Sequence, residues 1–247
     1  MYEKKKRSAE LKQLAREALV GRYGVMAGAT ALLTALNFLA ILIPLWIFPG
    51  TSVFSQICQF AVSIVTSLLI SLFGAGMACL ALDVTRGQKP PFGNMLYPFF
   101  HHPDRFLIMS LVLVAIQSVL QIPVYVLDNL YSSTFLTHNY GLEEAIGYLY
   151  FSLLCSSIST LIYTIIALRF AMASYLLIEY EDLSGIQALK ESARMMKGQK
   201  ARYFYVSISF FGMLLLGSVT CGIGMLWITP YMETTFAYFY RDLKNEI

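Results

Sequence analysis

Residues 222–240 read "GIGMLWITPYMETTFAYFY". The run is apolar and aromatic enough for lipid, yet it carries Pro230 midway and one carboxylate, Glu233. Whether it counts as a membrane span decides the fold. Counted, the chain crosses an even number of times. The basic tail with Arg241 and Lys244 then returns to the side of the basic N-terminal arm. Discounted, the tail falls on the far side, against the tendency of Lys and Arg to stay cytoplasmic.

Five more apolar segments precede it, at 25–48, 53–82, 106–127, 146–178 and 203–219. A hydrocarbon core about 30 Å thick takes about 20 helical residues. The first and third segments fit. The second and fourth are too long, so they tilt or continue beyond the bilayer. The fifth and sixth are short and separated only by "TCGIG", which reads as a hairpin turn.

The basic residues fall in alternate connections. The arm holds Lys4, Lys5, Lys6, Arg7, Lys12, Arg16 and Arg22. The second connection holds Arg86, Lys89 and Arg105; the fourth holds Lys190, Arg194, Lys197, Lys200 and Arg202. The first, third and fifth hold none, and the third is acidic, with Asp128, Glu143 and Glu144. Tyr and Trp favour the interfacial levels, which places Trp46, Tyr125, Tyr131, Tyr148 and Tyr150 outside and Tyr97, Tyr180, Tyr203, Tyr205, Tyr238 and Tyr240 inside. The expected fold is an all-α polytopic membrane protein. It has six transmembrane helices as three hairpins, cytoplasmic amphipathic helices, and both termini inside. Its parts are an arm (1–24), hairpin one (25–82), a cytoplasmic connection (83–105), hairpin two (106–178), an amphipathic helix (179–202), hairpin three (203–240) and a tail (241–247).

Composition agrees with that class. Charged residues are 13% and apolar ones 57%, against roughly 25% charged in a soluble domain. The net charge of +3 is too small to imply nucleic acid. Cys58, Cys79, Cys155 and Cys221 lie in apolar runs without metal spacing and read as packing residues. His101, His102 and His138 lack companion ligands and read as solvated. The first apolar run ends in "ILIPLWIFPG", with no small-residue cleavage site, so the arm is expected to be retained.

A threefold pattern recurs: an interfacial segment, a basic elbow, then a hairpin. The elbows are Arg22, Arg105 and Arg202. "SAELKQLAREAL" and "SGIQALKESARMMKG" are amphipathic, the second with stripe residues Ile186, Leu189, Ala193 and Met196 and a Ser184–Gln187 capping box. The middle copy, "FGNMLYPFFHHPDRF", is broken by Pro98 and Pro103. Basic amphipathic helices ahead of spans suit an anionic leaflet, so Lys12, Arg16, Lys190, Arg194 and Lys197 are expected lipid contacts.

Inside the membrane, small residues mark close helix contacts: Gly24 and Gly28, then Ala31 and Ala35; Ser63, Ser67, Ser71 and Gly74; Ser152, Ser156 and Ser159. Arg169 and Glu233 fall at similar depth. They are read either as an ion pair sharing the cost of burial or as separate side chains reaching the interface. Pro230 frees the carbonyl near Leu226 and is expected to kink its helix.

"ELKQLAREALVGRYG", "ALDVTRGQ", "ALKESARMMKGQKARYFYVSISFFG" and "GIGMLWITPYMETTFAYFYRDL" together resemble a bacterial integral-membrane family common in Gram-positive organisms, a domain of unknown function numbered nine-seven-five. It is distantly like the membrane module of some glycerophosphodiester phosphodiesterases. The resemblance implies a six-span protein of the bacterial cell membrane and supplies no catalytic residue. This chain departs from it at Met213, where Trp is common.

No HExxH, GxSxG or Walker loop is present, and no histidine lies inside a span. No catalytic, cofactor or metal residue is therefore assigned. The favoured reading is a non-enzymatic module that binds membrane lipids or a partner, either a membrane protein or a second copy. The alternatives are a transporter or permease component with a site near Glu233 and Arg169, and, last, an intramembrane enzyme.

Overall fold

Three left-handed backbone positions set the layout: Gly21 (φ 75°), His102 (φ 52°) and Gly198 (φ 80°). Each sits just ahead of a long apolar segment and turns the chain into it. Glycine takes this conformation without steric cost, whereas L side chains strain there. The middle elbow manages with a histidine because Pro103, as the first helical residue, fixes the entry on its other side.

The computed structural model describes residues 5–50, 52–138, 142–220 and 222–247. Lys4 and Cys221 lie outside them. The helices are α1 (Ser8–Leu19), α2 (Tyr23–Ile47), α3 (Val53–Thr85), α4 (Tyr97–Phe100), α5 (Pro103–His138), α6 (Leu142–Ala167), α7 (Ala173–Glu179), α8 (Gly185–Met195), α9 (Lys200–Ile208), α10 (Phe211–Val219) and α11 (Met225–Leu243). A short 3-10 helix, Phe92–Leu96, precedes α4. Local chemistry explains the boundaries. Ser52 caps α3 by accepting from the Ser55 N–H at 3.2 Å. Ser184 and Gln187 form a reciprocal capping box at the start of α8.

Five stretches are long and apolar enough to cross a membrane: Tyr23–Ile47, Val53–Thr85, Pro103–Asp128, Ile146–Ala167 and Lys200–Val219. The chain is a multi-pass membrane protein. The segment at 222–240 forms α11, which is not among the five. Its Glu233, Arg241 and Asp242 make it too polar by composition.

Buried side chains gather at one end of the bundle. They include Leu11, Ala15 and Leu19 of α1, Met26 of α2, Leu80 and Leu82 of α3, Phe106 of α5 and Phe239 and Tyr240 of α11, all at 0–1% exposure. Most of the basic residues lie at this end. Toward the other end the helices separate. The apolar window of α3 is 44% buried, whereas that of α6 is not buried at all.

The short segments pack in a cycle. The 3-10 helix and α4 lie on α3, α8 lies on α5 and α7, and α1 lies mainly on α11. Each interfacial segment thus covers the helices of the preceding unit, and the first covers the last. Two glycines make this approach possible. A Cβ on Gly76 of α3 would sit 1.9 Å from the Met95 carbonyl oxygen, and one on Gly185 of α8 would sit 2.4 Å from that of Arg105.

Several sequence expectations are corrected here. The third connection is largely helical: α5 runs on to His138 and α6 begins at Leu142. No Pro or Gly interrupts 124–138, and Tyr131 stacks on Tyr148 across the pair at 3.5 Å. The fourth segment is not one helix but breaks at Leu168–Met172. The apolar faces of α1 and α8 are not free for lipid. Leu11, Ala15 and Leu19 are fully buried against protein, as are Gly185, Ala188, Leu189 and Ser192. The α8 stripe is also rotated. Ile186 is exposed, because the α5 backbone approaches on the side of Gly185.

Candidate functional site: the basic rim

Each elbow arginine reaches the far end of its own unit. Arg22, ahead of α2, donates to the Gly87 carbonyl just beyond α3, and to Ala18 at 2.7 Å. Arg105, at the start of α5, donates through Nη1 to the carbonyls of Tyr180 (2.9 Å), Glu181 (2.7 Å) and Leu183 (3.2 Å), just beyond α7. Arg202, at the start of α9, donates to Asp242 at 2.6 Å near the end of α11, and to the Lys6 carbonyl. The repeat read in the sequence therefore has a physical content. An arginine at the entry of each unit holds its exit closed, using charge-assisted hydrogen bonds.

The three exits meet at Glu179. Its carboxylate accepts from Arg86 at the end of α3, from Lys244 at the end of α11 (2.7 Å), and from the Tyr240 hydroxyl. The Glu179 side chain is only 12% exposed. Arg241 adds a tie from α11 to the Thr85 carbonyl of α3 at 2.6 Å. Tyr175 stacks on Tyr240 at 5.1 Å. Sequence reasoning missed this junction, since its members lie 61, 65 and 93 residues apart. The available signal was the acid near each unit's end: Asp83, Glu179 and Asp242.

Lys244 titrates above the ordinary lysine value. Burial alone would lower it, but hydrogen bonds to Glu179 and Glu246 outweigh that. A raised lysine stabilises fully below its unfolded value of about 10.5 and loses that contribution as pH rises through its folded value. Wild type should therefore exceed Lys244→Met in melting temperature by a constant margin from neutral pH to about pH 10. The margin should narrow at higher pH in detergent melts. A margin that stays constant throughout would rule out the lysine charge as its source.

Arg169 and Glu233 are not joined. Arg169 is exposed in the turn between α6 and α7, and no ion pair links it to Glu233 among the described residues. The break in the helix explains this. Because α6 ends at Ala167, Arg169 lies exposed in a turn rather than buried between helices, and it needs no buried partner. Ser192 of α8 supports the break by donating to the Arg169 carbonyl (3.0 Å) and accepting from the Met172 N–H (3.1 Å). Glu233 is half-buried on α11, near Tyr175 and Tyr203. Pro230 lies within α11, and its own carbonyl accepts from Thr234 at 2.8 Å.

The expected lipid contacts divide. Lys12 turns inward, donating to the Ser209 carbonyl at 2.8 Å and lying 3.9 Å over the Phe210 ring. Burial and the neighbouring Arg16 lower its pKa. Arg16 is exposed beside Tyr231. Lys190 and Arg194 are exposed on α8 and Lys197 just beyond its end, with Arg194 bonded to Glu191 at 2.7 Å.

At the opposite end, α2, α3 and α5 part around a groove of about 1280 Å³. Its lining is apolar with a few polar groups, among them Asn37, Gln59, Thr66 and Asp128. Asp128 accepts from Tyr148 and from Ser152 at 3.3 Å. The expected serine stripe on α3 divides too. Ser63 and Ser67 line the groove, whereas Ser71 bonds Ser110 of α5 at 2.6 Å.

A family model described as "Protein of unknown function (DUF975)" matches residues 1–246. Nothing matches among the curated proteins or the solved structures.

Proposed function

The chain belongs to the DUF975 family, and from that premise we propose that it is a six-span, non-enzymatic module of the cell membrane whose basic rim recognises anionic lipid. In this reading α11 is the sixth span and both termini are cytoplasmic. The tight turn before α11, with Gly222 N–H donating to the Gly217 carbonyl at 3.1 Å, supports its antiparallel return beside α10. The contact of Lys5 with Asn245 at 2.6 Å supports placing arm and tail together.

One observation carries the reading. The basic end is sealed by arginine clamps and the Glu179 junction, while the cations of α8 remain turned outward. Each basic residue near an anionic leaflet contributes about 1 kcal/mol. Lys190→Gln/Arg194→Gln/Lys197→Gln should therefore retain less phosphatidylglycerol than wild type, by on the order of tenfold or more. Native mass spectrometry of the purified protein reads this directly. Unchanged retention would count against lipid recognition by α8.

A second reading, a transporter component, is favoured by the groove at the opposite end. The groove is large and partly polar, and no described residue of the basic rim lines it. Glu233 does not line it. Glu233→Cys, in a background with the native cysteines replaced, tests the two readings. Labelling by a membrane-impermeant thiol reagent supports transport, and protection supports the module.

A further inference from the structure

We propose that the cleft between α1 and α9 holds the phosphate group of an anionic phospholipid, whose acyl chains lie along α9 and α10. This rests on the lipid-recognising reading above and gives it a location that the sequence expectation did not contain. The cleft measures about 590 Å³ and is lined by Lys5, Lys6, Arg7, Lys12 and Arg202, with no carboxylate in its wall among the described residues.

The cations differ in how much they have left to give. Lys5 is committed to the tail, donating to the carbonyls of Asp242 and Leu243 and to the side chain of Asn245. Lys12 makes one hydrogen bond, to Ser209, and an ammonium carries three donors. Arg202 uses Nε and Nη2 on Lys6 and Asp242, while its Nη1 is buried without a partner. Lys6 and Arg7 have no carboxylate partner among the described residues. Among the described residues the nearby acids are already engaged: Glu10 accepts from the Arg7 N–H, and Asp242 from Arg202 and the Lys6 N–H. Apart from the Arg202–Asp242 pair, these cations have no counter-charge among the described residues and repel one another, and an anion with several acceptor oxygens relieves this.

Position selects a lipid over a solute. The cleft opens where the apolar run Lys200–Val219 begins. Tyr205, in its wall, is 65% exposed, and Ile208 and Phe211 beyond it are also exposed. Tyrosine favours this interfacial level. A headgroup in the cleft thus continues directly onto an apolar rail, which free phosphate would leave unused.

The test uses the full chain in mild detergent, titrated with phosphatidylglycerol, phosphatidylcholine or inorganic phosphate. Native mass spectrometry and thermal shift are the readouts. Lys6→Gln/Arg7→Gln spares Lys12 and Arg202, which hold the fold. Wild type should retain phosphatidylglycerol on the order of tenfold more strongly than this variant, and phosphatidylcholine weakly. On wild type alone, phosphatidylglycerol should protect Lys6 from acetylation, and phosphatidylcholine should not. Equal retention by both proteins, or an unprotected Lys6, overturns the cleft. Stabilisation by inorganic phosphate alone that equals the lipid's overturns the choice of lipid. Loss of binding in the α8 variant but not in Lys6→Gln/Arg7→Gln sinks the cleft and spares the basic-rim reading; unchanged binding in both sinks both.

Discussion

Gly76→Ala should destabilise the protein by about 3 kcal/mol, the upper end of overpacking costs. The new Cβ would lie 1.9 Å from the Met95 carbonyl oxygen, 2.6 Å from its carbon and 2.9 Å from its Cα. These are backbone atoms and cannot rotate away. The 3-10 helix would have to retreat from α3, lifting Met95, which is 1% exposed, and straining the Asn94–Asp83 hydrogen bond of 2.7 Å. Alanine's better helix propensity returns only about 1 kcal/mol. Gly74→Ala is the control. It has nothing within 4 Å of its added Cβ and should be neutral or slightly stabilising. Denaturant or thermal melts in detergent compare the two. Equal stability of Gly74→Ala and Gly76→Ala would mean that the close approach is not there.

Glu179→Ala should cost about 2–3 kcal/mol. Breaking a fully buried charge pair costs about 3–5 kcal/mol. Here Arg86 is 37% exposed and can turn to water, so its share is screened. Lys244 is 22% exposed, and Tyr240, fully buried, has no such escape for its hydroxyl. Glu179→Gln keeps an acceptor for Tyr240 and should lose about half as much. Much of the damage comes from the buried Tyr240 hydroxyl losing its acceptor and from Lys244 losing one of its two carboxylates, since it keeps Glu246 at 2.7 Å. Adding Lys244→Met to Glu179→Ala should therefore cost less than Lys244→Met costs alone, the remainder being the pair with Glu246. Strict additivity of the two changes in a double-mutant cycle would show that the two residues do not interact.

The apolar segments, the elbow positions and the polarity of the rim were legible in the sequence because they are local: runs, spacings and counts. The helix breaks were not. "ALRFAMA" contains neither Pro nor Gly. The turn there is held by Ser192, which arrives from α8 some 20 residues later. The extension of α5 past Leu127 was hidden for the opposite reason. Asp128, Asn129 and Ser132 look like loop residues, but nothing in them stops a helix, and Asp128 finds partners on α6. The candidate site was half legible. The three elbow arginines stood out as a repeat, but the carbonyls and carboxylates they hold are distant in the chain. The Arg169–Glu233 pairing followed from equal depth in two segments taken as unbroken, and it fails because one of them ends at Ala167.

Consider finally the order in which the ribosome delivers this cycle. Helix α1 (Ser8–Leu19) emerges long before α11 (Met225–Leu243), on which it is mainly seated. Until then Leu11, Ala15 and Leu19 lack the larger part of their protein seat, and an amphipathic segment beside a nascent span can shelter its apolar face at the membrane interface. Asp242 and Asn245 come into place with α11 and fasten that seat through Arg202, Lys6 and Lys5.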